Sequence, residues 1–129
     1  AKAATDVTGF GLLGHLFKLC RASKVGAVVD AAGVPVIEGA AESLADGYVS
    51  GGTRRNLDWV RPHLRPGPGI TENDLLLLAD AQTSGGLLLA VTPEAEAEVR
   101  AAAEEFGIKL AAIGELVTAR GGRPMIEIR

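Results

Sequence analysis

Leu12, Leu16 and Leu19 fall at i, i+4 and i+7, and Leu13, Phe17 and Cys20 repeat that spacing one position later. This is the stripe of a helix with a broad apolar face. It is predicted to end near Lys24, with Thr5, Asp6 and Thr8 as candidate N-caps ahead of it. "VGAVVD", residues 25–30, reads as a short buried strand. A second helix is predicted after Pro35, with Ile37, Ala40, Ala41 and Leu44 on one face and Gly47 as its stop. From "SGGTRRN" to "PHLRPGPG" the chain is rich in Gly, Pro and Arg and reads as a long loop, because Pro62, Pro66 and Pro68 exclude a long helix there. Thr71 and Asp74 have the spacing of a capping box that opens the short helix "ENDLLLLAD". "GLLLAV" then reads as a continuous apolar strand. Thr92 and Pro93 begin the clearest helix, striped by Ala95, Val99, Ala102 and Phe106 and stopped at Gly107. "IKLAAIGELV" predicts a strand, "ARGG" a turn, and "RPMIEIR" a last strand pairing back as a hairpin.

The order helix, strand, helix, loop, helix, strand, helix, strand, strand predicts an α+β fold, a mixed sheet with helices layered on it. At 129 residues the chain is expected to be one domain. Hydrophobic residues make up 47% and charged residues 22%, which suits a globular chain. The formal net charge is −3 and aromatics are only 4%, with no basic stripe among them, so nucleic acid is not an expected partner. No apolar run reaches the roughly 18 residues of a membrane span. A single cysteine, Cys20, cannot close an internal disulfide, and a cytoplasmic setting is expected. The dense motif begins almost at residue 1, and an N-terminal portion is expected to precede it.

That motif, "TGFGLLGH" at 8–15, contains a literal G-x-G-x-x-G formed by Gly9, Gly11 and Gly14, and Asp30 follows about where a ribose-binding acid would. A dinucleotide site also needs an apolar strand running into the first glycine. "ATDVT" is polar at three of five positions, so the first strand of the βαβ unit is missing from the pattern. Two other readings stand beside the NAD one. The glycines shape a tight helix start, or they present Asp6. The carboxylate of Asp6 could be an N-cap, or one oxygen ligand of Mg²⁺, a cation held by one or two carboxylates together with substrate phosphates.

"ATDVTGFGLLGHL", "GGTRRN" at 51–56, "QTSGGLLLAV" at 82–91, and "IGELV" followed by "RGGRPMIEIR" occur together in that order. In this combination the chain resembles the C-terminal domain of selenophosphate synthetase (selenide, water dikinase), over nearly its whole length. The resemblance implies a layered α/β domain with partial ferredoxin-like topology, like the C-terminal domain of aminoimidazole ribonucleotide synthetase and a related hydrogenase maturation protein. It implies a homodimeric two-domain enzyme that uses ATP, selenide and water to form selenophosphate, AMP and orthophosphate. Most of the ATP site, the catalytic Cys or selenocysteine and most metal-binding aspartates would belong to an N-terminal domain outside these residues. Asp6 would complete the Mg²⁺ site, with Gly9, Gly11 and Gly14 holding it in place, and residues 1–129 alone would be inactive. The family's third motif usually reads Asp-Pro-Gln-Thr-Ser-Gly-Gly, whereas Ala81 follows Asp80 here, a change expected to loosen the turn.

The remaining candidates stay open between two roles. Arg54, Arg55 and Asn56 suit anion contact, or belong to a solvated loop whose arginines pair with acids. Thr83, Ser84, Gly85 and Gly86 could offer backbone N–H groups to a phosphate, or simply turn the chain into the next strand. His15 is expected at a surface or domain interface, His63 has no evident partner, and Cys20 reads as a buried structural thiol rather than a catalytic one. A stand-alone, non-catalytic interaction domain of the same fold is the alternative to the enzyme reading.

Overall fold

The apolar stripe at 12–20 folds as predicted. In the computed structural model, which describes residues 1–129 with all but Gly122 in full, helix α1 spans Gly11–Ser23 and buries Leu13, Leu16, Phe17 and Cys20. Those positions are i, i+3, i+4 and i+7, one face of a helix. Lys24 ends it in the left-handed region, and the chain turns directly into strand β2, Val25–Val29. Burial raises the Cys20 thiol pKa to about 11, so it stays protonated and serves as a small apolar core group.

The predicted loop after residue 50 is largely a helix, α3, Gly51–Val60. Paired glycines are poor helix formers, but Ser50 caps the first turn by accepting from the Thr53 N–H at 3.1 Å. Thr53, Leu57 and Val60, at i, i+4 and i+7, are buried, and Pro62 falls just beyond the helix, where it breaks nothing. The preceding helix, α2, is correspondingly short, Ala40–Ala45, and buries only Leu44, while Ile37 lies exposed ahead of it. Helix α4, Glu72–Leu78, opens with the predicted capping box: Thr71 accepts from the Asp74 N–H and Asp74 from the Thr71 N–H. Helix α5, Glu96–Glu105, forms where predicted, but none of its described residues is buried, and Phe106 is 81% exposed rather than part of a core stripe.

The sheet departs further from expectation. Strands β3 (Leu64–Pro66), β5 (Gly114–Thr118) and β6 (Ile126–Ile128) join β2 in the order β3-β6-β2-β5. The last strand is not the second half of a hairpin. β6 runs parallel to both β2 and β3, pairing Ala27 with Ile126 and Leu64 with Ile126, and β5 pairs antiparallel on the far side of β2. The reason lies in its "IEI" alternation: Ile126 and Ile128 are essentially fully buried, which a central strand over a helical layer provides and an edge hairpin does not. Of the stretch 108–117 read as one strand, only the end is strand. Helices α1, α3 and α4 cover one face, and their leucines meet Ala27, Val29, Leu64, Ile126 and Ile128 in one core.

A strand does precede the glycine motif. Strand β1, Ala3–Asp6, pairs antiparallel with β4, Leu87–Ala90, in a separate two-stranded ribbon. The polar residues of "AATD" are tolerated because alternate positions of the ribbon face solvent, and for the same reason "LLLA" is not fully covered, Leu87 being 60% exposed.

Candidate functional site

The ribbon decides the fate of the glycine motif. β1 and β2 lie in different sheets, so the strand–helix–strand unit of a dinucleotide site is not formed, although the first strand is present. Asp30, the would-be ribose ligand, accepts from Arg129 Nε at 2.5 Å. That overturns the NAD reading, for a reason other than the one the sequence offered. The predicted caps of α1 fail as well: its N-cap is Phe10, with no side-chain cap bond, and Asp6 sits further back as the last residue of β1.

Asp6 is exposed at the end of the ribbon, opposite Leu87. The turn that follows is fastened from two directions. From the loop after α4, the Gln82 N–H donates to Thr8 O at 3.1 Å, and the Val7 N–H donates to Gly86 O at 2.8 Å. From α3, Asn56 Nδ2 donates to Gly9 O at 2.8 Å and to Ala79 O at 3.1 Å. His15, one turn into α1, shares a hydrogen bond between Nε2 and Thr8 Oγ1 at 3.0 Å. Burial and then the Lys18 ammonium lower its pKa, against an upward pull from Asp6, which favours the neutral imidazole.

The second and third motifs are bonded to each other. Thr53, fully buried, donates its hydroxyl to Asp80 Oδ1 at 2.7 Å and accepts the Ala81 N–H at 3.1 Å. Gln82 Nε2 holds the other carboxylate oxygen of Asp80 at 2.8 Å. Ala81 therefore does not loosen this turn. It supplies an N–H that proline lacks, and the Thr53 hydroxyl uses it. Removing that hydroxyl while keeping the shape, as in Thr53→Val, strips a partner from Asp80 and from the Ala81 N–H. The expected loss is about 1–3 kcal/mol of stability, measured by urea denaturation. An unchanged midpoint would mean that water replaces the hydroxyl.

The first three of the four sequence motifs thus meet at one place, around the turn that carries Asp6. The individual candidates separate there. Asn56 is half-buried and committed to two backbone carbonyls, so it is not available for anion contact. Arg54 and Arg55 lie on α3 rather than on a loop, both exposed, and among the described residues neither forms an ion pair. Thr83, Ser84, Gly85 and Gly86 form an exposed bend beside the turn, and Gly86 is bonded to Val7. His63 has a partner that the sequence did not reveal: it stacks on Phe17, ring centroids 4.1 Å apart. Phe17 in turn meets Trp59 edge-on, and Phe10 packs beside Trp59, leaving a half-exposed aromatic shelf next to His15.

Among the described residues no group of three or more His, Cys, Asp or Glu side chains could hold a metal. Asp6 offers a single hard oxygen donor on fixed backbone. That fits a Mg²⁺ ion whose other ligands come from phosphates and from elsewhere, and it does not fit a self-contained metal centre. No helix among the described residues is long and apolar enough to cross a membrane.

The chain is 59% identical over 128 residues to a selenide, water dikinase from Enterobacter sp. (strain 638), and 56% identical to one from Escherichia coli (strain K12). Each alignment covers 99% of this chain and 36% of the relative, so the chain spans about a third of the length of these curated relatives. A thiamine-monophosphate kinase from Stenotrophomonas maltophilia K279a shares the fold, with a TM-score of 0.57 at 20% identity over 98% of this chain and 30% of that one. The family model described as "AIR synthase related protein, C-terminal domain" matches residues 1–127. With its layered α+β architecture and the convergence of its motifs on the Asp6 turn, the chain belongs to the AIR synthase related protein C-terminal domain family.

Proposed function

We propose that this chain is the C-terminal domain of a selenide, water dikinase, which converts ATP, selenide and water into selenophosphate, AMP and orthophosphate. The observation that carries the reading is the 59% identity to such an enzyme across 99% of this chain. The clustering of the three motifs around Asp6 supports it. In this reading the enzyme is a cytoplasmic homodimer, and an N-terminal domain supplies the nucleophile and most of the ATP site.

Phosphoryl transfer asks a protein mainly for positioning and charge stabilisation. Bound Mg²⁺ would neutralise charge on the ATP phosphates. The part played by this chain is to hold one carboxylate, Asp6, at a fixed point on the surface that meets the rest of the enzyme. The unpaired guanidiniums of Arg54 and Arg55 are cations available to phosphate oxygens, and the Thr83–Gly86 bend lies beside the same turn.

The test compares two proteins. The longer polypeptide containing these residues is expected to form AMP from ATP in a selenide-dependent manner, read by chromatography of the nucleotides, and residues 1–129 alone are not. Selenide-dependent AMP from the short chain would overturn the division of labour. Its absence from the longer one would overturn the function.

A further inference from the structure

We infer that Asn56 is a positioning residue for the Asp6 carboxylate. The inference rests on the reading of Asp6 as a metal ligand in the longer enzyme. Beyond Asp6 the chain is tied at three successive residues. Val7 and Thr8 are held by backbone bonds to Gly86 and Gln82, and Val7 is also confined by close packing, since a Cβ on Gly85 would lie 2.1 Å from Val7 O. Gly9 is held differently. On the side its Cβ would occupy, Gly9 faces open space, with nothing beyond its chain neighbours within 4 Å. Its carbonyl is fixed by Asn56 Nδ2, and the same amide nitrogen grips Ala79 O at the end of α4.

One side chain therefore links three elements: α3, the turn after Asp6 and the end of α4. Its own backbone is well placed to do so. Asn56 stands next to Leu57 on α3, a helix seated in the core through Leu57 and Val60. Groups behind a metal ligand set its orientation, and losing one costs roughly 10- to 100-fold in metal affinity or activity. Truncating Asn56 frees Gly9 O while the buried face of α3 remains intact.

The experiment uses the longer polypeptide, with Asn56→Ala, Asn56→Ser and, as a reference, Asp6→Asn. Mn²⁺ is the probe, its binding read by electron paramagnetic resonance in the presence of a non-hydrolysable ATP analogue, and thermal melting is recorded for each variant. Both Asn56 variants are expected to weaken Mn²⁺ binding roughly tenfold or more, with a cooperative melting transition retained. Wild-type Mn²⁺ binding in the Asn56 variants, alongside weakened binding in Asp6→Asn, overturns the positioning role and leaves Asp6 as the ligand. Wild-type binding in Asp6→Asn removes the metal role of Asp6, and the inference fails with it. Loss of cooperative melting in both Asn56 variants makes the residue purely structural, which also overturns it.

Discussion

Asp6→Asn in the longer polypeptide is expected to lower selenide-dependent turnover at least about a hundredfold while leaving the melting temperature nearly unchanged. The substitution keeps the shape of the side chain and removes its charge. Asp6 is exposed, and its backbone is set by the β1–β4 register and by the bonds to the following turn, none of which involves the carboxylate. Stability therefore has little to lose. Under the proposed role of Asp6 as a Mg²⁺ ligand, catalysis has more, because a metal that neutralises phosphate charge contributes several kcal/mol to the transition state, and each ~1.4 kcal/mol is a factor of ten. Parallel assays of AMP formation and thermal melting separate the two effects. Wild-type turnover would take Asp6 out of the site, and a large fall in melting temperature would make its role structural.

The second large effect concerns the glycines of the same motif, which look alike in sequence and differ in space. Gly11 has φ +70°, and a Cβ there would lie 2.5 Å from Ala79 O. Gly11→Ala combines a left-handed backbone cost of roughly 1–2 kcal/mol with an overpacking cost of roughly 1–3 kcal/mol. A loss of about 3 kcal/mol is expected in urea denaturation. Gly9 lies outside the left-handed region and faces open space, so Gly9→Ala is expected to change stability by under about 0.5 kcal/mol. Equal losses at the two positions would contradict this steric account.

Local patterns in the sequence were readable where each was decided locally. The stripe of α1, the capping box at Thr71 and the buried "VGAVV" run all form where the spacing put them. Helix α3 was hidden because its two glycines and the later prolines outweighed the Ser50 cap and the Thr53, Leu57, Val60 stripe, which together held the signal. Strand partners were not legible at all. Nothing in "RPMIEIR" says that it pairs with β2 and β3 rather than with its neighbour, because pairing is fixed by what covers the sheet. At the site, Asp6 stands out from its motif and from the resemblance, and "GGTRRN" and "TSGG" carry groups suited to phosphate contact. Their linkage through Thr53, Asp80 and Asn56 spans residues far apart in the chain, which spacing cannot express. In sequence Asn56 looks like Arg54 and Arg55, since all three are donors in one motif. Only the structure separates the donor that is spent on carbonyls from the two that form no ion pair among the described residues.

The position of β6 also sets the order of events during folding. Ala27 pairs with Ile126, so the middle of the sheet is joined by residues from opposite ends of the chain. On a ribosome, α1, α3 and α4 can collapse together while β2 and β3 still flank an empty lane. That lane stays open until residues 126–128 have emerged, and the nascent chain carries two unpaired strand edges in the meantime. Pairing residues so far apart in the chain is expected to make this last step slow.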